Sequence, residues 1–118
     1  MLPKKYRLKN KSAFSATYKS NNFVCDKNLF LYLGKEKTEE TTPTKVGVVV
    51  SKKIHKRAVR RNRIKRLIRE AYRLMLKNGE IDFVQNRLSL IFVGREGALD
   101  CDFNTIKKSV MTLLKKKY

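Results

Sequence analysis

Acidic residues are the first shortage in this chain: 10 Asp and Glu stand against 29 Lys and Arg, a formal charge of +19. Self-repulsion on that scale works against an isolated fold and in favour of a polyanionic partner, either nucleic acid or an anionic membrane surface. Histidine is nearly absent, with His55 alone, so acid–base ribonuclease chemistry lacks a histidine pair. The two cysteines, Cys25 and Cys101, are widely separated. They make neither a Cys/His metal motif nor a disulfide framework, and both are expected to be buried thiols. Five scattered glycines make no phosphate-binding loop. The acids are too few and too dispersed for a protein-held two-metal centre. No catalytic residue and no metal ligand are therefore assigned. No apolar run approaches the roughly 18 residues of a membrane span, and the basic stretch 1–11 lacks the apolar segment of a signal peptide. A cytoplasmic protein with no membrane partner is expected.

What is present fits one domain over residues 1–118, since a chain this short rarely divides. Its densest feature is Ser51–Arg73, with eleven Lys or Arg and the single acid Glu70. Ile64, Leu67, Ile68, Ala71 and Met75 recur there at the spacing of one helix face. At about 100° per residue, Asn62, Arg66, Arg69 and Arg73 point away from that face. Arg61 and Lys65 lie on one flank, and Arg63 lies on the other near Glu70. Like charges at i, i+4 repel by a few tenths of a kcal/mol. A polyanion that compensates them is the simplest reason to leave them unpaired, and arginine forks suit the phosphates of a folded RNA.

The remaining pattern predicts a helix over 11–19, capped by Asn10 or Ser12, and a strand over 23–34. A polar connection follows at 35–44, then a buried strand over 45–51 and the cationic helix over about 57–77, stopped by Asn78-Gly79. After an irregular 80–87 come a strand over 88–93 and a helix over 103–115 started by Asp100 or Asp102. The order is αββαβα, an α+β domain with a small central sheet, and the strand–helix–strand unit implies a parallel pair joined by a βαβ crossover. Period two separates Phe30 and Tyr32 from Leu29, Leu31 and Leu33. Phe14 and Tyr18 share a face of the first helix. These four aromatics beside a basic helix make a platform on which unpaired bases can stack.

The run Lys52-Lys53, Arg57-Ala58, Arg60-Arg61-Asn62-Arg63-Ile64-Lys65-Arg66-Leu67-Ile68-Arg69-Glu70 closely resembles the signature of the bacterial ribonuclease P protein subunit, centred on its Arg-Asn-Arg triplet. Leu8-Lys9, Phe14, Tyr18, Leu29-Phe30-Leu31-Tyr32 and Val46 to Lys53 extend the match. The resemblance implies a left-handed crossover in a ribosomal protein S5 domain 2-like fold, against the usual hand. It also implies a non-catalytic partner of the ribozyme that cleaves the 5′ leader from precursor tRNA, with Mg²⁺ held mainly by the RNA and substrate. Lys52, Lys53, Arg57, Arg60, Arg61, Asn62, Arg63, Lys65, Arg66 and Arg69 would contact the catalytic RNA. Phe14, Tyr18, Phe30 and Tyr32 would hold the leader, with Arg61, Lys65 and Arg69 along its rim. The partners implied are the catalytic RNA and the precursor tRNA leader; no protein partner is inferred. The alternative is a ribosomal or other rRNA-binding structural protein. A protein-only nuclease relying on His55 and a membrane-surface helix are weaker readings, the latter because the apolar face is narrow and the strands occupy it.

Overall fold

The structure is a computed structural model that describes residues 2–36, 43–81 and 87–117. Its elements are α1 (Lys11–Lys19), β1 (Phe23–Cys25), β2 (Leu29–Leu33), β3 (Lys45–Val49), α2 (Ala58–Lys77), β4 (Ser89–Gly94) and α3 (Phe103–Lys117), in one sheet of order β1-β2-β4-β3. β3 and β4 run parallel with α2 between them in sequence, as the βαβ pattern requires; the other pairings are antiparallel.

One expectation is corrected. The strand read over 23–34 is two strands, β1 and β2, folded back on each other. Asp26 makes the break. Its Oδ1 accepts the N–H groups of Asn28 and Leu29, both at 2.8 Å, an Asx turn that satisfies the chain locally and competes with continued extension. The four-stranded sheet thus carries one more edge strand than the αββαβα order supplied.

The helix ends follow their local chemistry. Asn10 caps α1 by accepting the Ser12 N–H at 2.8 Å. Asp102 takes the Thr105 N–H at 2.9 Å at the start of α3, which holds its carboxylate below the usual range. At the end of α2, Gly79 has φ 72°. The Glu80 N–H returns to the Met75 carbonyl at 2.9 Å and the Gly79 N–H to Leu76 at 3.2 Å, the two bonds of a Schellman stop.

Alternation along β2 divides the molecule into layers. Leu29, Leu31 and Leu33 are fully buried in a core with Ile64, Ile68 and Met75 of α2 and with Ile106, Val110 and Leu113 of α3. Each such side chain contributes about 1.5–3 kcal/mol by leaving water. Phe30 and Tyr32 face the other way. Their cross-strand partners Val93 and Ile91, and in turn Val49 and Gly47, belong to that second face. α1 covers one end of it: Thr17 shares a hydrogen bond with Ser89, and Phe14 sits on Gly47. The rest of the face is left open.

Candidate nucleic-acid interface

The N-terminus of α2 is built from cations. Arg57 is its cap residue, and its first turn holds no acid. A helix start exposes unpaired N–H groups and partial positive charge, so cations there cost stability that an anion would return. The approach segment is fixed by its own bonds. Ser51 accepts the Lys53 N–H (2.9 Å), His55 Nδ1 accepts the Arg57 N–H (3.1 Å), and Arg61 donates to the carbonyls of His55 and Lys56, each at 3.0 Å. His55 thus serves as part of the turn that launches the helix.

The flanks of α2 differ. Arg60 donates to the Leu99 carbonyl at 3.2 Å and pairs with Asp100 at 3.5 Å, and Arg63 donates to the Cys101 carbonyl at 3.0 Å. Those two arginines are partly committed to holding the segment before α3. Glu70 is held by Arg73 through two bonds of 3.1 and 3.0 Å. That guanidinium pulls the Glu70 carboxyl down to about 2. Among the described residues, Arg60 and Arg73 are the members of the eleven that form an ion pair, and Arg63 lies near enough to Asp102 to help hold that carboxylate low. Lys52, Lys53, Arg57, Asn62, Arg66 and Arg69 are exposed, and Arg61 and Lys65 are half-buried.

Three of the four expected aromatics meet. Tyr18 and Tyr32 lie edge to face with ring centres 4.8 Å apart, and Phe30 is 6.3 Å from Tyr32. Phe14 stands apart over Gly47, in a pocket of about 310 Å³ that it shares with Arg7, Lys9 and Arg69. Arg69 thus lies beside Phe14, and not beside Tyr18, Phe30 or Tyr32, in that lining. Partial burial and the neighbouring Tyr32 push the Tyr18 phenol above its ordinary value, so it remains a neutral donor at neutral pH. Two further groups belong to the platform. Phe23, 48% exposed, lies 5.5 Å from Tyr32, and the Arg95 guanidinium stands 4.7 Å over the Phe30 ring. Phe23 becomes visible only when β1 is folded onto β2 opposite Tyr32. Arg95 follows Gly94 directly, but nothing in its local sequence pairs it with residue 30. Of the two thiols expected to be buried, Cys101 is buried and Cys25 is exposed. Burial pushes the Cys101 thiol up and keeps it protonated, donating to the Gly97 carbonyl at 3.1 Å.

With this geometry in place, the chain can be set beside known proteins. The Ribonuclease P family model matches residues 2–118. A "Ribonuclease P protein component" of Clostridioides difficile is 36% identical over 109 residues, covering 92% of this chain and 89% of that relative. One of Clostridium kluyveri is 37% identical over 116 residues, covering 94% and 93%. A solved Staphylococcus aureus RNase P protein superposes with a TM-score of 0.74 at 27% identity, over 95% of this chain and 94% of that one. The RNase P protein of Thermotoga maritima, at 23% identity and a TM-score of 0.74 over 93% and 96% of the chains, shares the fold. Family match, relatives and fold agree over nearly the full length, and the chain belongs to the ribonuclease P protein component family.

Proposed function

We propose that this chain is the RNA-binding, non-catalytic subunit of ribonuclease P, the ribonucleoprotein that removes the 5′ leader from precursor tRNA. α2 grips the catalytic RNA, and the groove of Tyr18, Tyr32 and Phe30, with Phe14 at its α1 end, holds the single-stranded leader. The observation that carries this reading is the joining of two surfaces on one rigid sheet. A cationic helix that its own acids leave mostly unpaired reaches Phe14 through Arg69, on the sheet face that also carries the cluster of Tyr18, Phe23, Phe30 and Tyr32. Phosphate contacts give affinity without sequence preference. Aromatic faces accept unpaired bases of any identity at about 1–3 kcal/mol each. Together they suit a substrate whose common feature is a single strand next to a folded RNA.

The polypeptide positions RNA, and the bond cleavage belongs to its RNA partner. Mg²⁺, which would neutralise charge on the reacting phosphate, is assigned to the RNA and substrate. Among the described residues no three His, Cys, Asp or Glu side chains gather as a metal site. Among them, too, no helix is long and apolar enough to cross a membrane.

The test is cleavage of precursor tRNA by the catalytic RNA at low Mg²⁺ with and without this protein. Stimulation is expected, and its absence overturns the reading. A structural rRNA-binding protein would bind RNA without stimulating that cleavage. Tyr32→Ala should weaken a leader-bearing substrate by about 1–3 kcal/mol and leave mature tRNA nearly unchanged; equal losses on both would remove the leader from the groove.

A further inference from the structure

The N-terminal arm is built as a fixed element. Leu2 and Leu8 are buried at 1% and 7% exposure and pin the segment at both ends. Between them Pro3 opens a 3-10 turn over Lys4–Tyr6, closed by the Tyr6 N–H on the Pro3 carbonyl at 3.0 Å and the Arg7 N–H on Lys4 at 3.1 Å. Arg7 spends its Nε on the Leu2 carbonyl at 2.8 Å, and its backbone bridges Val46 in parallel. The Leu8 N–H reaches the Val46 carbonyl at 2.9 Å. The arm therefore lies along the outer edge of β3, which it protects from stray pairing.

What this scaffold holds rigid is charge of one sign. Lys4, Lys5, Arg7 and Lys9, with Lys45 of β3, line a pocket of about 560 Å³ that has no acid in its wall. Among the described residues none of the five forms an ion pair. Solubility needs no such fixed concave arrangement, because mobile surface lysines provide it equally well. Arg7, Leu8 and Lys9 also line the smaller pocket that contains Phe14 and Arg69. Cationic surface thus runs from the pocket of Phe14 and Arg69 to the arm.

We infer that the arm pocket is a phosphate seat for RNA, taking phosphodiester groups of the same strand whose bases lie in the groove as that strand passes Phe14 and Arg69. The inference rests on the leader reading above, and it adds a separate backbone-binding site that contains no stacking residue.

The experiment compares Lys4→Gln/Lys5→Gln/Lys9→Gln with Lys107→Gln/Lys108→Gln/Lys116→Gln, which removes equal charge from α3. Each is assembled with the catalytic RNA, and binding is measured for precursor tRNAs of graded leader length and for mature tRNA. Leu2, Leu8 and Arg7 remain, and thermal unfolding checks the fold. Lys4→Arg/Lys5→Arg/Lys9→Arg should restore binding. For long leaders the arm variant should bind about tenfold or more weakly. Its slope of log affinity against log salt should be shallower by about 0.7 for each phosphate of the single strand that the arm no longer holds. Mature tRNA and the α3 variant should change much less. Equal loss in the α3 variant, or equal loss on mature tRNA, overturns the inference. Weaker affinity for the catalytic RNA without any leader-length dependence also overturns it, because the seat would then belong to the ribozyme. If Tyr32→Ala still discriminates by leader while the arm variant does not, this inference fails alone. If neither responds to the leader, the groove reading fails with it.

Discussion

Gly47 shows how much one absent methyl group can fix. A Cβ at this position would fall 2.5 Å from Cζ of Phe14, so any other residue forces the ring to move. Gly47→Ala is expected to cost about 1–3 kcal/mol, the usual range for overpacking, read as a lower urea midpoint. If Phe14 helps hold the leader as proposed, leader-bearing substrate should weaken as well. Full stability in that variant would mean that Phe14 is not seated as described. Glu70 makes a second residue-scale case. With Arg73 as the largest cause, the Glu70 carboxyl falls from an ordinary 4.5 to about 2, and a depressed carboxylate stabilises the fold where it is ionised. The contribution is complete above about pH 4.5 and is lost as the pH falls toward 2. Both side chains are well exposed to solvent, so screening keeps the contribution of the pair small. Urea midpoints measured from pH 2 to 7 should show this component in the parent and a smaller one in Arg73→Ala. A variant with an unchanged acid profile would refute it.

At the scale of elements, α2 divides its arginines between two tasks. Arg63 is tied to the Cys101 carbonyl, so Arg63→Ala should cost about 1 kcal/mol of stability, the worth of a typical hydrogen bond, as well as any RNA contact. Arg66 is exposed, so Arg66→Ala should leave stability within about 0.5 kcal/mol. It should instead reduce the salt slope of RNA binding by up to about one unit. Paired unfolding and binding titrations separate the two; a stability loss in Arg66→Ala as large as in Arg63→Ala would erase the distinction. The helices were legible because each states its own limits: the Asn10 and Asp102 caps, the Asn78-Gly79 stop, and the apolar stripe that starts at Ile64. The stretch 23–34 was less legible, since Phe23–Cys25 and Leu29–Leu33 are both strand-forming and the Asx turn at Asp26 was the only punctuation. The platform was half legible. Periodicity put Phe30 and Tyr32 on one face, but it cannot say which strand lies beneath Phe14, nor bring Arg95 across to Phe30. Those are long-range pairings set by register.

At the scale of the whole molecule, +19 charges are carried by a body with a radius of gyration of 13.3 Å. Most of the interior is apolar, so it contributes no compensating charge. The free protein therefore carries a repulsive term that its RNA complex does not. Ordinary proteins held by surface ion pairs lose stability as salt screens attraction; here the screened term is net repulsion. The urea midpoint of the isolated chain should thus rise from low to moderate sodium chloride. Phosphate at matched ionic strength should raise it further if the arm pocket and the start of α2 bind anions in the folded state. Ligand linkage sets the size of that extra gain, about 2.7 kcal/mol when free anion exceeds its dissociation constant a hundredfold. Equal midpoints in chloride and phosphate would leave only diffuse screening and argue against formed anion seats. A midpoint that falls with salt would mean that internal pairing outweighs the repulsion, and the case for an unsatisfied cationic surface awaiting RNA would fail at its root.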